Sequence, residues 1–300
     1  MKYNILAIIL SVFFISACVG GGGISSNGEG IDFQFMTNQP PTDELNENQQ
    51  FRVGINTINY GLENTEVNLC ISDSLSSWVE GVTESCKIIN MDKAEISGNQ
   101  IVPFQKKVYF PFEDTTYRYI NIEPNMDTTI VAEAYYKFIT IANGQICIKR
   151  DIEAETPVEC EVSSQEQLTS NSAPVKITSL EKKTYPIGNN KVQLTLKFTV
   201  SNSGAGDVID VNTINSREAK EPKISVRVSL KGITTNFVCN PVRADGRFAF
   251  NEKQKTITCE APIEITQSFI ENPLEISVEY GYKLKKTIGP IKLIPKDEGF

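Results

Sequence analysis

VQLTLKFTVSNSG, residues 192–204, places Val192, Leu194, Leu196, Phe198 and Val200 at every second position, with Gln193, Thr195, Lys197 and Thr199 between them. Successive side chains of an extended chain point to opposite faces, so a period of two marks a strand with one face buried and one wet. The run closes on Asn202-Ser203-Gly204. A second run closes the same way: VGINTINYG, residues 53–61, parallels LKFTVSNSG, residues 196–204, at an offset of 143. Near the end of each half AEAYYKF, residues 132–138, parallels VEYGYKL, residues 278–284, at an offset of 146, sharing Glu, Tyr and Lys in register. Two matches at nearly one offset predict two copies of a single unit.

Alternation extends outward from these runs. It covers Ile31-Asp32-Phe33-Gln34-Phe35, then Phe51, Val53 and Ile55, and predicts strands at 67–71, 107–112, 128–141 and 145–149. The last two are expected to form a hairpin across Ala142-Asn143-Gly144, because Asn-Gly is a strong turn signal. In the second half it covers Ile224, Val226, Val228 and Leu230, then Phe248 to Phe250 after Asp245-Gly246, then Leu274, Ile276, Val278 and Tyr280. The only helix candidate in the first half is a turn or two at 76–82. Roughly seven short strands per half without crossover helices predict an all-β fold of two tandem immunoglobulin-like antiparallel β-sandwiches. EVSSQEQLTSNS, residues 161–172, is almost devoid of apolar side chains and reads as a linker between units at 31–160 and 173–300.

Composition excludes several function classes. The chain carries 29 basic and 37 acidic residues, a net charge of −8, which repels polyanions and argues against a nucleic-acid partner. The lysine pairs Lys106-Lys107, Lys182-Lys183 and Lys285-Lys286 read as solvated strand positions. Histidine is absent, which removes His-dependent catalytic triads and Cys/His zinc sites. Seven cysteines are present, an odd number. Six of them fall in sequential pairs, Cys70 with Cys86, Cys147 with Cys160 and Cys239 with Cys259. Six cysteines allow ~15 connectivities; the local one keeps each bridge inside one unit and suits an oxidising compartment. No C-x-x-C occurs, so neither a metal nor another cofactor is expected.

The seventh cysteine has its own setting. Lys2 precedes the apolar run Ile5–Ala17, which is shorter than the ~18–20 residues of a membrane-crossing helix and reads as a signal peptide, residues 1–17. Ile15-Ser16-Ala17-Cys18 resembles the prokaryotic lipobox, and the resemblance implies lipid attachment at Cys18. The Gly/Ser-rich stretch that follows, to residue 30, reads as a flexible tether with an end-to-end span on the order of 20 Å. The strand-plus-Asn-x-Gly element likewise resembles the Ig-like domains of bacterial and archaeal surfaces, including the CARDB group of cell-adhesion-related domains. That resemblance implies a class of surface domain and not a ligand; with the anchor it gives a surface lipoprotein, for which an envelope or surface protein or a glycan is the expected partner.

Candidate sites each have a plainer reading. Trp78, between Cys70 and Cys86, either contacts a partner or covers the disulfide. Asp207, Asp210 and Asn212 in GAGDVIDVN could offer oxygens to calcium, or could be Asx-turn residues. Tyr117, Tyr119, Tyr135, Tyr136 and Tyr282 form either an aromatic surface or sheet packing. Without histidine, the open chemistries are a carboxylate pair of glycosidase type, for which Asp43, Glu44, Glu47, Glu123 and Asp127 are available, and a Ser/Lys dyad. Nothing pairs any two of these acids. The expected function is therefore a non-catalytic, membrane-anchored extracytoplasmic lipoprotein serving adhesion, envelope assembly or partner binding; the alternative is an envelope glycan hydrolase. A ligand-capturing transport lipoprotein would need α/β lobes that the alternation does not support.

Overall fold

The computed structural model describes residues 30–75, 80–98, 100–112, 115–150, 160, 163–216, 220–242 and 245–296. The fold is all-β and overwhelmingly antiparallel. The first half supplies β1 (Ile31–Phe35), β2 (Glu44–Asn46), β3 (Val53–Asn59), β4 (Thr65–Asp73) and β5 (Ser85–Met91). A small hairpin of β6 (Glu95–Ser97) and β7 (Gln100–Val102) follows, then β8 (Phe104–Phe110) and the 23-residue β9 (Asp127–Lys149). Between the halves lie β10 (Ser163–Gln165) and β11 (Thr169–Ser170). The second half supplies β12 (Val175–Gly188), β13 (Lys191–Asn202), β14 (Asp207–Ile209), β15 (Lys223–Leu230), β16 (Val238–Asn240) and β17 (Phe248–Ala249). It ends with β18 (Gln254–Glu264) and the 26-residue β19 (Phe269–Ile294).

The long strands β9 and β19 pair antiparallel along nearly their whole length and form the centre of a nine-stranded sheet. Its main path runs β17-β15-β19-β9-β4-β5, with β14 and the parallel β2 added beside β19 and β11 beside β9. Even-numbered residues of β9, from Ile130 to Ile148, face the core, and odd-numbered ones face outward. Two smaller sheets cover the even face. One is β1-β3-β8; the other is β10-β12-β13-β18-β16. Tyr136 donates its hydroxyl to the Ile31 carbonyl of β1 (3.3 Å), and Thr140 donates to the Val175 carbonyl of β12 (2.6 Å), which places both small sheets on one side of β9. Each fully buried Ile, Leu, Val or Phe between the layers contributes on the order of 1.5–3 kcal/mol.

The two sequence repeats meet at the centre. Tyr136 lies directly opposite Tyr282, and 282 − 136 equals the 146-residue repeat offset, so a pseudo-twofold axis passes through this pair. The same offset maps Glu133 onto Glu279 and Lys137 onto Lys283. Accordingly, the two ion pairs that flank the tyrosines, Lys283–Glu133 at 2.8 Å and Lys137–Glu279 at 2.9 Å, are symmetry mates. This is an isologous contact of the kind a twofold homodimer makes, here within one chain. The Asn-x-Gly motifs are equivalent too. Asn59 accepts from the Gly61 N–H (2.8 Å) and donates to the Glu63 carbonyl (3.0 Å); Asn202 accepts from the Gly204 N–H (3.3 Å) and donates to the Gly206 carbonyl (2.8 Å). In both halves one amide side chain closes the loop that leaves the strand.

Three expectations need correction or refinement. Asn143-Gly144 makes no hairpin: β9 runs straight through it, with Gly144 opposite Leu274 of β19. The glycine serves close approach instead, since a Cβ there would meet Leu168 Cδ2 at 2.8 Å and the Gln167 carbonyl oxygen at 3.0 Å. The stretch read as a linker carries structure: β10 pairs with β12 and β11 pairs with β9, so it is stitched to both halves. Lys182 is not solvated. It points inward, 1% exposed, donating to the Cys147 carbonyl (2.6 Å) with Glu166 at 3.4 Å, because neighbouring strand positions send Lys182 and Lys183 to opposite faces.

The disulfides are Cys70–Cys86, Cys147–Cys160 and Cys239–Cys259. The first joins directly opposed positions of β4 and β5, and the third directly opposed positions of β16 and β18. Three such bonds fit an oxidising, extracytoplasmic setting. No helix among the described residues is long and apolar enough to cross a membrane.

Candidate functional site

The halves differ where the chain first meets the central strands. Along β9, Val67 and Leu69 of the unbroken β4 oppose Tyr136 and Ala134. Along β19, Val208 of β14 opposes Tyr282 and Ile224 of β15 opposes Tyr280. The equivalent positions are two residues apart in the first half and sixteen in the second, so fourteen residues are inserted within the strand edge. This excursion begins over Gly281, where a Cβ would meet Ile209 Cγ1 at 2.9 Å and the Ile209 carbonyl oxygen at 3.1 Å; its repeat mate is Tyr135.

Asp210 holds the excursion in shape. It caps the short 3-10 turn Val211–Thr213 by accepting from the Asn212 N–H (2.9 Å), and Arg247 Nη1 neutralises it at 2.7 Å. The carboxylate is 5% exposed, so the arginine is what makes its burial affordable. The chain then reaches across the outer face to the first half, where Asn68 Nδ2 of β4 donates to the Ile214 carbonyl (3.4 Å).

Between the excursion and the loop that enters β4 lies an open groove of about 600 Å³. Its floor is Lys137, Ile139 and Ile141, the outward-facing positions of β9; Val211 and Ile214 form one wall, and Leu62 to Glu66 the other. Asn171 closes the strand edge along the floor: it accepts from the Ile141 N–H (2.9 Å) and donates from Nδ2 to the Ile139 carbonyl (3.0 Å). With the Asn171 N–H also donating to the Ile141 carbonyl (3.1 Å), both Ile141 backbone groups and the Ile139 carbonyl are satisfied, and Ile139 remains 37% exposed. Further along the outer face of β9, burial pushes the Glu133 carboxyl up, but hydrogen bonds from Lys283 and Tyr135 outweigh it and hold the group below its ordinary value.

The structure disperses the other candidates. Asp207 stands exposed on β14 while Asp210 is committed to Arg247, and among the described residues no cluster of three or more His, Cys, Asp or Glu could hold a metal. All five tyrosines are buried. Of the acids, Glu47 accepts from the Lys296 and Asn121 backbone N–H groups (both 2.9 Å), bonds that hold its carboxyl below the ordinary value. It is a staple between chain segments.

The acid that burial raises is one the sequence did not single out. Asp73 accepts from the Val82 N–H (2.9 Å), the Leu75 N–H (3.1 Å) and the Tyr119 hydroxyl (3.0 Å). The groups bound to it are donors rather than a second carboxyl, so it organises the loop between β4 and β5. Trp78 and Cys18 lie outside the described residues, as do residues 76–79 of the helix candidate. No protein-family model and no curated protein matches the chain.

Proposed function

We propose that the chain is a non-catalytic recognition protein of the cell envelope, tethered to a membrane through lipid on Cys18, with its two halves as Ig-like units fused into one rigid body. The observation that carries this reading is the inserted excursion. A repeated scaffold that needs only β4 on one side bears fourteen extra residues on the other, fixed by a buried ion pair and bordering a groove on the outward face. Loops added to a stiff scaffold are where binding surfaces are built. The chain enters the described body at Gly30, beside Tyr136 and Phe138 on the core side of β9, opposite the groove. A tether from there leaves the outer face free for a protein or glycan.

Fractionation of cells expressing Cys18→Ala tests the anchor, and the expected result is release of the protein from the membrane fraction. Photo-crosslinking from Ile139 of the native chain on intact cells tests recognition. A dominant captured species supports the reading, and labelling no stronger than from Lys197, on the outer face of a small sheet, contradicts it.

A further inference from the structure

We infer that the groove takes an extended segment of a partner protein in which aliphatic side chains adjoin lysine or arginine. The inference rests on the recognition reading above and adds the chemistry of the guest. Two features lead to it. The floor repeats with the strand: Lys137, Ile139 and Ile141 lie two residues apart, so their side chains recur about every 6.6–6.8 Å. An extended peptide laid along β9 has that same repeat, and its alternate side chains meet Ile139 and Ile141 together with Leu62, Val211 and Ile214. A cavity of this volume suits about five residues rather than a whole domain.

The second feature is charge. Lys137 on the floor is already paired with Glu279 at 2.9 Å. Glu63 and Glu66 on the wall are exposed, and among the described residues neither carboxylate meets a cation. The free charge of the groove is therefore negative, in a chain whose net charge is −8. An acidic guest is repelled, a purely apolar one leaves both carboxylates unused, and a guest with cations beside its aliphatic residues satisfies wall and floor together. Glu63 is particular to the first half, since its repeat mate is Gly206, whereas Glu66, the residue before Val67, has an acidic counterpart in Asp207, the residue before Val208.

The test is fluorescence anisotropy with the full chain in detergent micelles and two labelled probes, the peptide KVTIK and its counterpart EVTIE. The expected result is at least tenfold tighter binding of the cationic probe, weakening as salt is added. The double substitution Glu63→Lys with Glu66→Lys should invert the preference. Ile139→Asp should abolish binding of both probes while leaving the thermal unfolding midpoint unchanged, which a folding defect would not do. Equal binding of the two probes overturns the inference, as does a preference that survives the charge reversal. So does a dimer of this chain that the charge reversal dissociates, since the groove would then serve a second copy. Capture of a partner through a different surface would sink this inference and leave the recognition reading standing.

Discussion

Along β9 the strand β4 runs unbroken from Thr65 to Asp73, whereas along β19 the same edge is shared by β14 and β15 with an excursion between them. Around the axis through Tyr136 and Tyr282 the halves otherwise match, down to mated Glu–Lys pairs and mated Asn-x-Gly braces. The comparison separates two demands on one sequence. What repeats is what folding needs: alternation, loop closure and a self-complementary central contact. What does not repeat is the excursion anchored by Asp210 and, on the first-half wall, Glu63, whose mate is Gly206. A groove made from both is where the proposed recognition surface sits on the scaffold.

The largest expected effect falls on the axis itself. Tyr282 is buried, and its hydroxyl donates to Asn202 Oδ1 (3.1 Å) and accepts from the Gly206 N–H (2.9 Å); among the described residues the Tyr136 hydroxyl bonds only the Ile31 carbonyl. Tyr282→Ala should cost about 4 kcal/mol in urea unfolding, and Tyr136→Ala somewhat less, because only the first also strands loop groups. If truncating Tyr136 costs more, the axis is not organised as described.

The next effect sharpens the difference between the halves. Arg247→Met leaves the Asp210 carboxylate buried without its cation, at a cost of about 3 kcal/mol. Hydrogen exchange should show the loss at residues 209–216, with β4 unaffected; uniform loss across both halves would mean the excursion is part of the core.

The smallest effect compares the mated ion pairs. Glu133 and Lys283 are 21% and 28% exposed, Glu279 and Lys137 37% and 51%. Glu133→Gln should cost about 1 kcal/mol, and Glu279→Gln only a few tenths because water screens it. The folded Glu133 carboxyl sits below its ordinary value of 4.5, so its contribution is present above that pH and fades as the pH falls through the lower folded value. A native chain whose stability changes no more steeply below pH 4.5 than Glu133→Gln would contradict the assignment.

Alternation made the all-β class legible, because apolar residues at every second position leave little else to form. It failed where the marker residues are weak. In QKTITCEAPIE the inward residues of β18 are Ile257, Cys259, Ala261 and Ile263, and Pro262 argues against a strand; pairing with β13 overrides that. Asn143-Gly144 misled because a turn signal is local, whereas β19 supplies a partner along all of β9. The repeat was readable, but the pairing of its two copies was not: a period of two says which face is buried and nothing of what lies along the edge. The groove was hidden for the same reason. Asp210 stood out, yet Arg247 is 37 residues away, and Glu63, Glu66, Ile139 and Ile141 looked like ordinary strand and loop positions.

The axis, the mated ion pairs and the groove all depend on β9 and β19 sharing one sheet. Asn143 and Glu275 lie directly opposite each other on its outer face. The most direct test is to introduce Asn143→Cys and Glu275→Cys together, oxidise the folded protein under mild conditions, and map the peptides by mass spectrometry without reduction. A near-complete bridge between positions 143 and 275, with the three native disulfides intact, is the expected result. A bridge that forms no faster than in the urea-unfolded chain would contradict the shared sheet and return the molecule to two independent units.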